Sequence, residues 1–182
     1  MADEPVAHWR AEHAYFKRLL ELLHLEADRF PRGEKPNYEL MLDIISYLRD
    51  YGDALHHPRE DVAYERLEVR AAELALPIAR LRQEHRVIAH AGEKLRSLLE
   101  AAVGGSITPL EALETAAATY LVYFGNHIAK EDEDFLPRAN AVLTAADWEA
   151  VRKAVPPRLD PLFGETQEER YRELRRRIAL EA

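Results

Sequence analysis

The chain has 182 residues, carries a formal net charge of −8 with its histidines neutral, and contains no cysteine. Its length suits one domain with a sizeable core, and its acidic balance argues against nucleic acid or an anionic membrane as a partner. Without cysteine there are no disulfides, zinc knuckles, thiol nucleophiles or cysteine-held iron–sulfur clusters, so any metal ion must be held by nitrogen and oxygen ligands.

The composition favours helix along the whole chain. Glycine is scarce, and apolar residues recur mostly every three or four positions, which predicts helices with one buried face. The first residues lack the basic and apolar pattern of a signal peptide, and no apolar run approaches the roughly 20 residues of a membrane helix. We therefore expect a cytoplasmic protein.

Proline and glycine divide the chain into four long predicted helices. We expect the second to be interrupted near Gly52 and Pro58, because proline removes a helix hydrogen bond. We expect the fourth to open with a capping box formed by Thr108 and Glu111. The approximate bounds are Pro5 to Phe30, Asn37 to Val69, Ala71 to Val103, and Thr108 to Pro137.

Two shorter helices are predicted after the fourth. Thr144 with Asp147 resembles a helix cap with an acidic first turn, and a last helix ends in the run Arg175–Arg177. Four long helices joined by short loops predict an all-α, up-down-up-down four-helix bundle. We expect this bundle over residues 1–140 and a C-terminal helical appendage packed on it over residues 141–182.

Histidine and acidic residues recur in matching elements, one on each long helix. The second and fourth helices carry His-x-x-basic-Glu-Asp at His56 to Asp61 and at His127 to Asp132, and the first and third carry Glu12-His13 and Glu84-His85. Residues four apart lie only about 40° apart around a helix axis, so the histidine and glutamate of each longer element share a face.

A single His-x-x-x-Glu pair indicates little, because such pairs are common on helix surfaces. Four matching elements in alternating order are much harder to obtain by chance. Imidazole and carboxylate suit iron, manganese or zinc, and helix bundles hold dinuclear sites with groups of this kind. The pattern predicts a buried metal site.

The chain resembles hemerythrin-like proteins of the HHE cation-binding type. The resemblance is carried by the four elements, the last extending from His127 to Pro137, and it spans about Val6 to Arg138. It implies a hemerythrin-like bundle with two non-heme iron ions, often joined by an oxo or hydroxo bridge, and with two bridging carboxylates. Carried over position by position, it implies the ligands His13, His56, Glu60, His85, His127 and Glu131.

The third helix departs from the pattern of the oxygen carriers, which have His-x-x-x-His there. Ala89 stands four residues after His85, and His90 stands five after it. On a regular helix His90 is rotated about 140° from His85, so it is an additional ligand only if the helix bulges or the site is asymmetric.

The two longer elements contain three further residues that can bind metal: Asp61, Asp132 and His57. Asp132 has the spacing of the carriers' last aspartate, but the match with Glu60 favours Glu131 as the ligand. Asp61 and Asp132 are then expected in a supporting or surface position. His57 is expected to be solvated or supporting, because His56 and His57 cannot both face the core of a regular helix.

Proteins of this family bind O2, react with peroxide or nitric oxide, handle iron or act as sensors. We expect a non-heme di-iron protein that binds or reacts with these small ligands in oxygen, oxidative-stress or iron handling, with redox enzyme activity left open. If His90 is no ligand, the open metal positions favour redox turnover over O2 storage. The alternative is an iron- or oxygen-sensing module that regulates a partner protein, and a homodimer is also left open.

Overall fold

In the computed structural model, all regular structure in the described residues, 3–163 and 169–180, is helical. The predicted all-α bundle is confirmed: α1 packs against α2 and α5, and α4 packs against the same two helices. The helices are α1 (Asp3–Ala27), α2 (Tyr38–Tyr47), α3 (His57–Arg70), α4 (Ala75–Val103), α5 (Leu110–Lys130), α6 (Leu136–Val142), α7 (Ala145–Ala154) and α8 (Arg172–Leu180).

Two π-helical segments make longer continuous rods of these helices. Leu48–His56 joins α2 to α3, and Glu131–Phe135 joins α5 to α6. Short 3₁₀ turns at Ala72–Leu74 and Glu169–Tyr171 precede α4 and α8. None of the described helices is both long and apolar enough to cross a membrane.

The π segments lie where the prolines were expected to disturb the helices. The interruption expected near Gly52 and Pro58 is the first π segment, which widens the helix without ending it, whereas the fourth helix continues past its predicted end at Pro137 to Val142. Proline lacks an N–H and its ring clashes with the carbonyl four residues earlier, so a regular α-helix cannot run through it unchanged. Here the backbone widens just before each proline, and His57 N–H bonds to Gly52 O, five residues back.

Side-chain caps fix several other helix ends. Asn37 caps α2 by accepting the N–H of Leu40 at 3.0 Å. The predicted cap of α7 is present as a full capping box, in which Thr144 and Asp147 each accept the other's backbone N–H. Gly105, with a φ of +79°, follows the end of α4.

The predicted capping box of the fourth helix is absent. Thr108 Oγ1 donates to Ser106 O at 3.4 Å, and the side chain caps no helix N–H. Pro109 is extended, with ψ 127°, and α5 begins one residue later at Leu110. The cap position therefore falls on Pro109, whose side chain has no acceptor.

A polar layer divides the apolar core into two clusters. On α1 the division falls between Trp9 and Phe16, and on α4 it falls between Leu81 and Ile88. These are the levels of the Glu-His elements, so the four predicted elements lie in one layer across the bundle.

The two C-terminal helices pack at opposite ends of this arrangement. Trp148 and Val151 of α7 join the core cluster that contains Trp9. Leu174 of α8 joins the cluster that contains Phe16. The division into residues 1–140 and 141–182 stays a prediction.

Candidate metal centre

Five histidines and two glutamates meet in the polar layer, and each is at most 6 % exposed. Ligand atoms of His13, His56 and Glu60 lie within 4.8 Å of one another, and the same is true of His57, Glu60, His85 and His127. Glu60 belongs to both groups. The layer therefore has two neighbouring positions at which a cation can be surrounded by imidazole and carboxylate.

Glu60 turns one oxygen toward each group. Its Oε1 lies 3.4 Å from His13 Nε2 and 3.2 Å from His56 Nε2. Its Oε2 lies 3.5 Å from His85 Nε2. A carboxylate in this orientation can bridge two cations.

Glu131 repeats this orientation from the opposite side of the bundle. Its Oε2 lies 3.5 Å from His13 Nε2, and its Oε1 lies 3.0 Å from His127 Nε2. The hydroxyl of Tyr64 donates to Oε1. The two glutamates thus face both groups of histidines, and Tyr64 holds one of them in place.

Several buried atoms of the layer make no hydrogen bond with the described residues. An unpaired buried carboxylate oxygen or imidazole nitrogen is costly, and a cation at these positions would remove the cost. The donor set therefore fits bound metal ions. The atoms are Glu60 Oε1, Glu60 Oε2, Glu131 Oε2, His85 Nε2 and His127 Nε2.

The outer nitrogens of four histidines contact carboxylates, and these contacts form a closed ring. Acidic residues of α1, α3, α4 and the π segment after α5 contact histidines of the π segment before α3, of α4, of α5 and of α1, respectively. The Nδ1 contacts are Glu12 to His56 at 2.8 Å, Asp61 to His85 at 3.1 Å, Glu84 to His127 at 3.1 Å and Asp132 to His13 at 2.8 Å.

The ring fixes which nitrogen of each histidine points inward. A histidine whose Nδ1–H donates to a carboxylate presents its Nε2 lone pair, which is the usual support of a metal-bound imidazole. Glu12 is itself held by Tyr51 at 2.8 Å and by Arg59 at 2.7 Å. Asp61 and Asp132 therefore have a supporting role, one of the two positions expected for them.

Of the two positions expected for His57, the solvated one is wrong. His57 is 3 % exposed, and its ring stacks on His85 with the centroids 4.2 Å apart. Its Nδ1 lies 3.1 Å from Asp53 Oδ1. The expectation assumed a regular helix, but the π segment ends at His56 and lets both neighbouring histidines face the layer.

His90 lies outside the cluster. It is exposed on α4, which is a regular α-helix through this position. The bulge that would turn His90 inward is absent.

The sequence analysis also did not identify Tyr64 as a residue of the site. It follows Glu60 by four residues, so helical spacing alone places the two on one face.

The buried charges compensate one another in the metal-free layer. Burial disfavours the imidazolium of His13, but Asp132 and Glu60 outweigh it and raise the pKa of His13 to about 10. Burial, together with the neighbouring His85, lowers the pKa of His57 to about 4. A protonated His13 thus balances part of the negative charge of the glutamates, whereas His57 stays neutral near pH 7.

Comparison with known proteins agrees with this geometry. No curated protein matches the chain. The family model of the hemerythrin HHE cation binding domain matches residues 4–139, which include all four elements of the polar layer. The chain therefore belongs to the hemerythrin HHE cation-binding family.

Proposed function

We propose that the protein holds two non-heme iron ions and binds or reacts with O2, peroxide or nitric oxide in oxygen, oxidative-stress or iron handling. The observation that carries the proposal is the orientation of Glu60 and Glu131, each of which turns one oxygen to each group of histidines. Two shared carboxylates are the arrangement expected for a pair of ions rather than a single ion.

The proposed ligands divide unequally between the two ions. His13 and His56 would hold one ion, and His57, His85 and His127 would hold the other. Glu60 and Glu131 have oxygens near histidines of both groups and would be shared. His57 supplies the fifth histidine that Ala89 cannot. The His13 side therefore has one protein ligand fewer, and we propose that the small ligand binds there.

The apolar surroundings suit a small uncharged ligand. The ring of Phe16 meets His56 edge-on at 5.0 Å, and Phe124 lies 5.5 Å from His57. The two phenylalanine rings lie 6.0 Å apart and are fully buried. They restrict water at the layer, which strengthens the electrostatic interactions inside it.

An iron pair bound here supplies a change of oxidation state and a coordination position for O2, peroxide or nitric oxide. Nearby, the Tyr64 hydroxyl keeps its proton directed at Glu131, and burial beside this carboxylate raises the pKa of Tyr64 well above its usual range. Tyr64 thus remains neutral and holds Oε1 of Glu131 in place.

The metal content tests the first half of the proposal. After reconstitution with ferrous iron, we expect a ratio of about two irons per chain, and loss of iron from Glu60→Ala and from Glu131→Ala. Glu133→Ala, an exposed change in the same π segment as Glu131, is the control and should retain both. A reproducible ratio near one, or preferential retention of zinc with iron in excess, would contradict the di-iron assignment.

Absorption spectroscopy tests the second half. The spectrum of the oxidised, iron-loaded protein should change on addition of peroxide or azide, and that of the reduced protein on addition of nitric oxide. Unchanged spectra from protein that holds two irons would exclude the small-ligand role while leaving the metal site intact.

A further inference from the structure

A cavity of about 680 Å³ lies beside the polar layer, and none of the proposed metal ligands lines it. Its walls come from the start of α1, from α3 and from α7. The volume lies within the range of small-molecule sites, about 300–1,000 Å³. The cavity is therefore large enough for an organic ligand, whereas the ligands proposed for the metal ions are much smaller.

The walls combine aromatic surface with positive charge. The rings of Trp9 and Trp148 meet edge-to-face with centroids 5.3 Å apart, and Val155 adds apolar surface. Arg59 and Arg152 also line the cavity, and none of the described lining residues is acidic. This combination favours a ligand with an apolar body and a negative charge.

Both arginines keep donors for such a ligand. Arg59 bonds to Leu55 O and Glu12 through Nε and Nη2, and Arg152 bonds to Glu149 through the same two nitrogens. Among the described residues, these bonds leave Nη1 of each arginine unused, and a guanidinium has five N–H donors in all. A carboxylate has two oxygens, so it can accept a charge-assisted hydrogen bond from the Nη1 group of each arginine.

We propose that the cavity binds a small amphipathic carboxylate, with its acid group at Arg59 and Arg152 and its apolar body against the two tryptophans. The site does not depend on which ligand the metal ions take. Two of its lining residues contact the polar layer: Arg59 donates a hydrogen bond to Glu12, and the ring of Trp9 lies edge-on to that of His56 at 6.2 Å.

Tryptophan fluorescence can report on this cavity, because the chain has only two tryptophans and both line it. We expect octanoate, titrated into the full-length, metal-loaded protein, to change the emission saturably with one molecule bound per chain. Octanol has the same apolar body without the charge, and it should bind at least about tenfold more weakly. Calorimetry supplies the stoichiometry independently.

Variants locate the binding. Arg152→Gln should weaken octanoate binding at least about threefold, as expected for an exposed charge pair. Arg176→Gln is the matched control, because Arg176 pairs with Glu173 on α8 just as Arg152 pairs with Glu149 on α7. Ala145→Phe, at an exposed lining position, should fill the cavity and abolish binding without removing any charge.

Each result decides the proposal. Weaker binding in Arg152→Gln and in Ala145→Phe, with unchanged binding in Arg176→Gln, supports it, and Ala145→Phe alone decides if Arg152→Gln fails to fold. Equal affinity for octanoate and octanol, or no saturable signal at millimolar octanoate, would overturn it. Octanoate binding that is unaffected by Ala145→Phe would also overturn it.

Discussion

At the scale of single residues, His57 shows how one side chain changes the character of the site. Its ring stacks on that of His85 and meets that of His127 edge-on at 5.6 Å. Because burial keeps it neutral, its free nitrogen is available to a cation without the loss of a proton. With His57, the number of proposed protein ligands would rise from six to seven.

We predict that His57→Ala reduces the iron content from about two per chain toward one, because the second ion loses a direct ligand. His90→Ala is the control. It removes an exposed histidine of α4, five residues after His85, and it should leave both irons bound. Metal analysis of the two purified variants, with circular dichroism to verify folding, is the measurement. Two irons held with unchanged affinity in His57→Ala would show that His57 only packs in the layer.

The sequence predicts much of the layer at this scale but not His57. Spacing alone places His56 beside Glu60 and His127 beside Glu131, and all four side chains are buried in the layer. Their role as ligands stays a prediction. The position of His57 could not be obtained in the same way, because it depends on a π segment that changes the angular spacing of neighbouring residues.

At the scale of elements, the contact between α4 and α5 depends on a glycine. A Cβ atom added to Gly92 would lie 2.9 Å from Cε2 of Tyr120, closer than buried atoms approach. The Tyr120 ring is 1 % exposed and packs edge-on against Phe124, so it has no room to move away. Gly92 therefore lets α4 pack closely against α5.

We predict that Gly92→Ala lowers the free energy of unfolding by about 1–3 kcal/mol, because overpacking of a tight core outweighs the better helix propensity of alanine. Gly125→Ala is the opposite case: Gly125 is helical in α5 and has nothing within 4 Å of its added Cβ. It should stabilise the protein by roughly 0.5–1 kcal/mol. Urea unfolding of both variants is the measurement, and equal effects would show that the Tyr120 ring can move.

The sequence predicts where regular helical bonding fails, but not how the chain responds. Pro58 and Pro137 mark both places. Whether the helix breaks or widens depends on what packs against it: Leu48, Tyr51 and Leu55 of the first π segment are buried in the core cluster that contains Phe16. Such contacts with other helices hold the widened segment in place, and they do not follow from local sequence.

At the scale of the whole molecule, the ring of carboxylates connects all four rods of the bundle. Each acidic residue lies on a different helix from the histidine that it contacts. The orientation of every inner nitrogen of the ring histidines therefore depends on how two helices pack, and the metal layer depends on the complete bundle.

We predict that Asp132→Asn lowers metal affinity about 10–100-fold without emptying the site, because the amide supports His13 less well than the carboxylate does. Asp134→Asn, an exposed change of the same kind in the same π segment, should leave the affinity unchanged. Competition with a chelator measures both. An unaltered affinity in Asp132→Asn would mean that the inner glutamates alone determine the orientation of His13.

The ring also has an internal twofold repeat. Asp61 of the first half contacts His85 in the second half, and Asp132 of the second half contacts His13 in the first half. Two copies of one helical hairpin, paired about an axis, would complete the same ring. The two halves are not equivalent at the site, because Ile128 occupies the position in the second half that His57 occupies in the first.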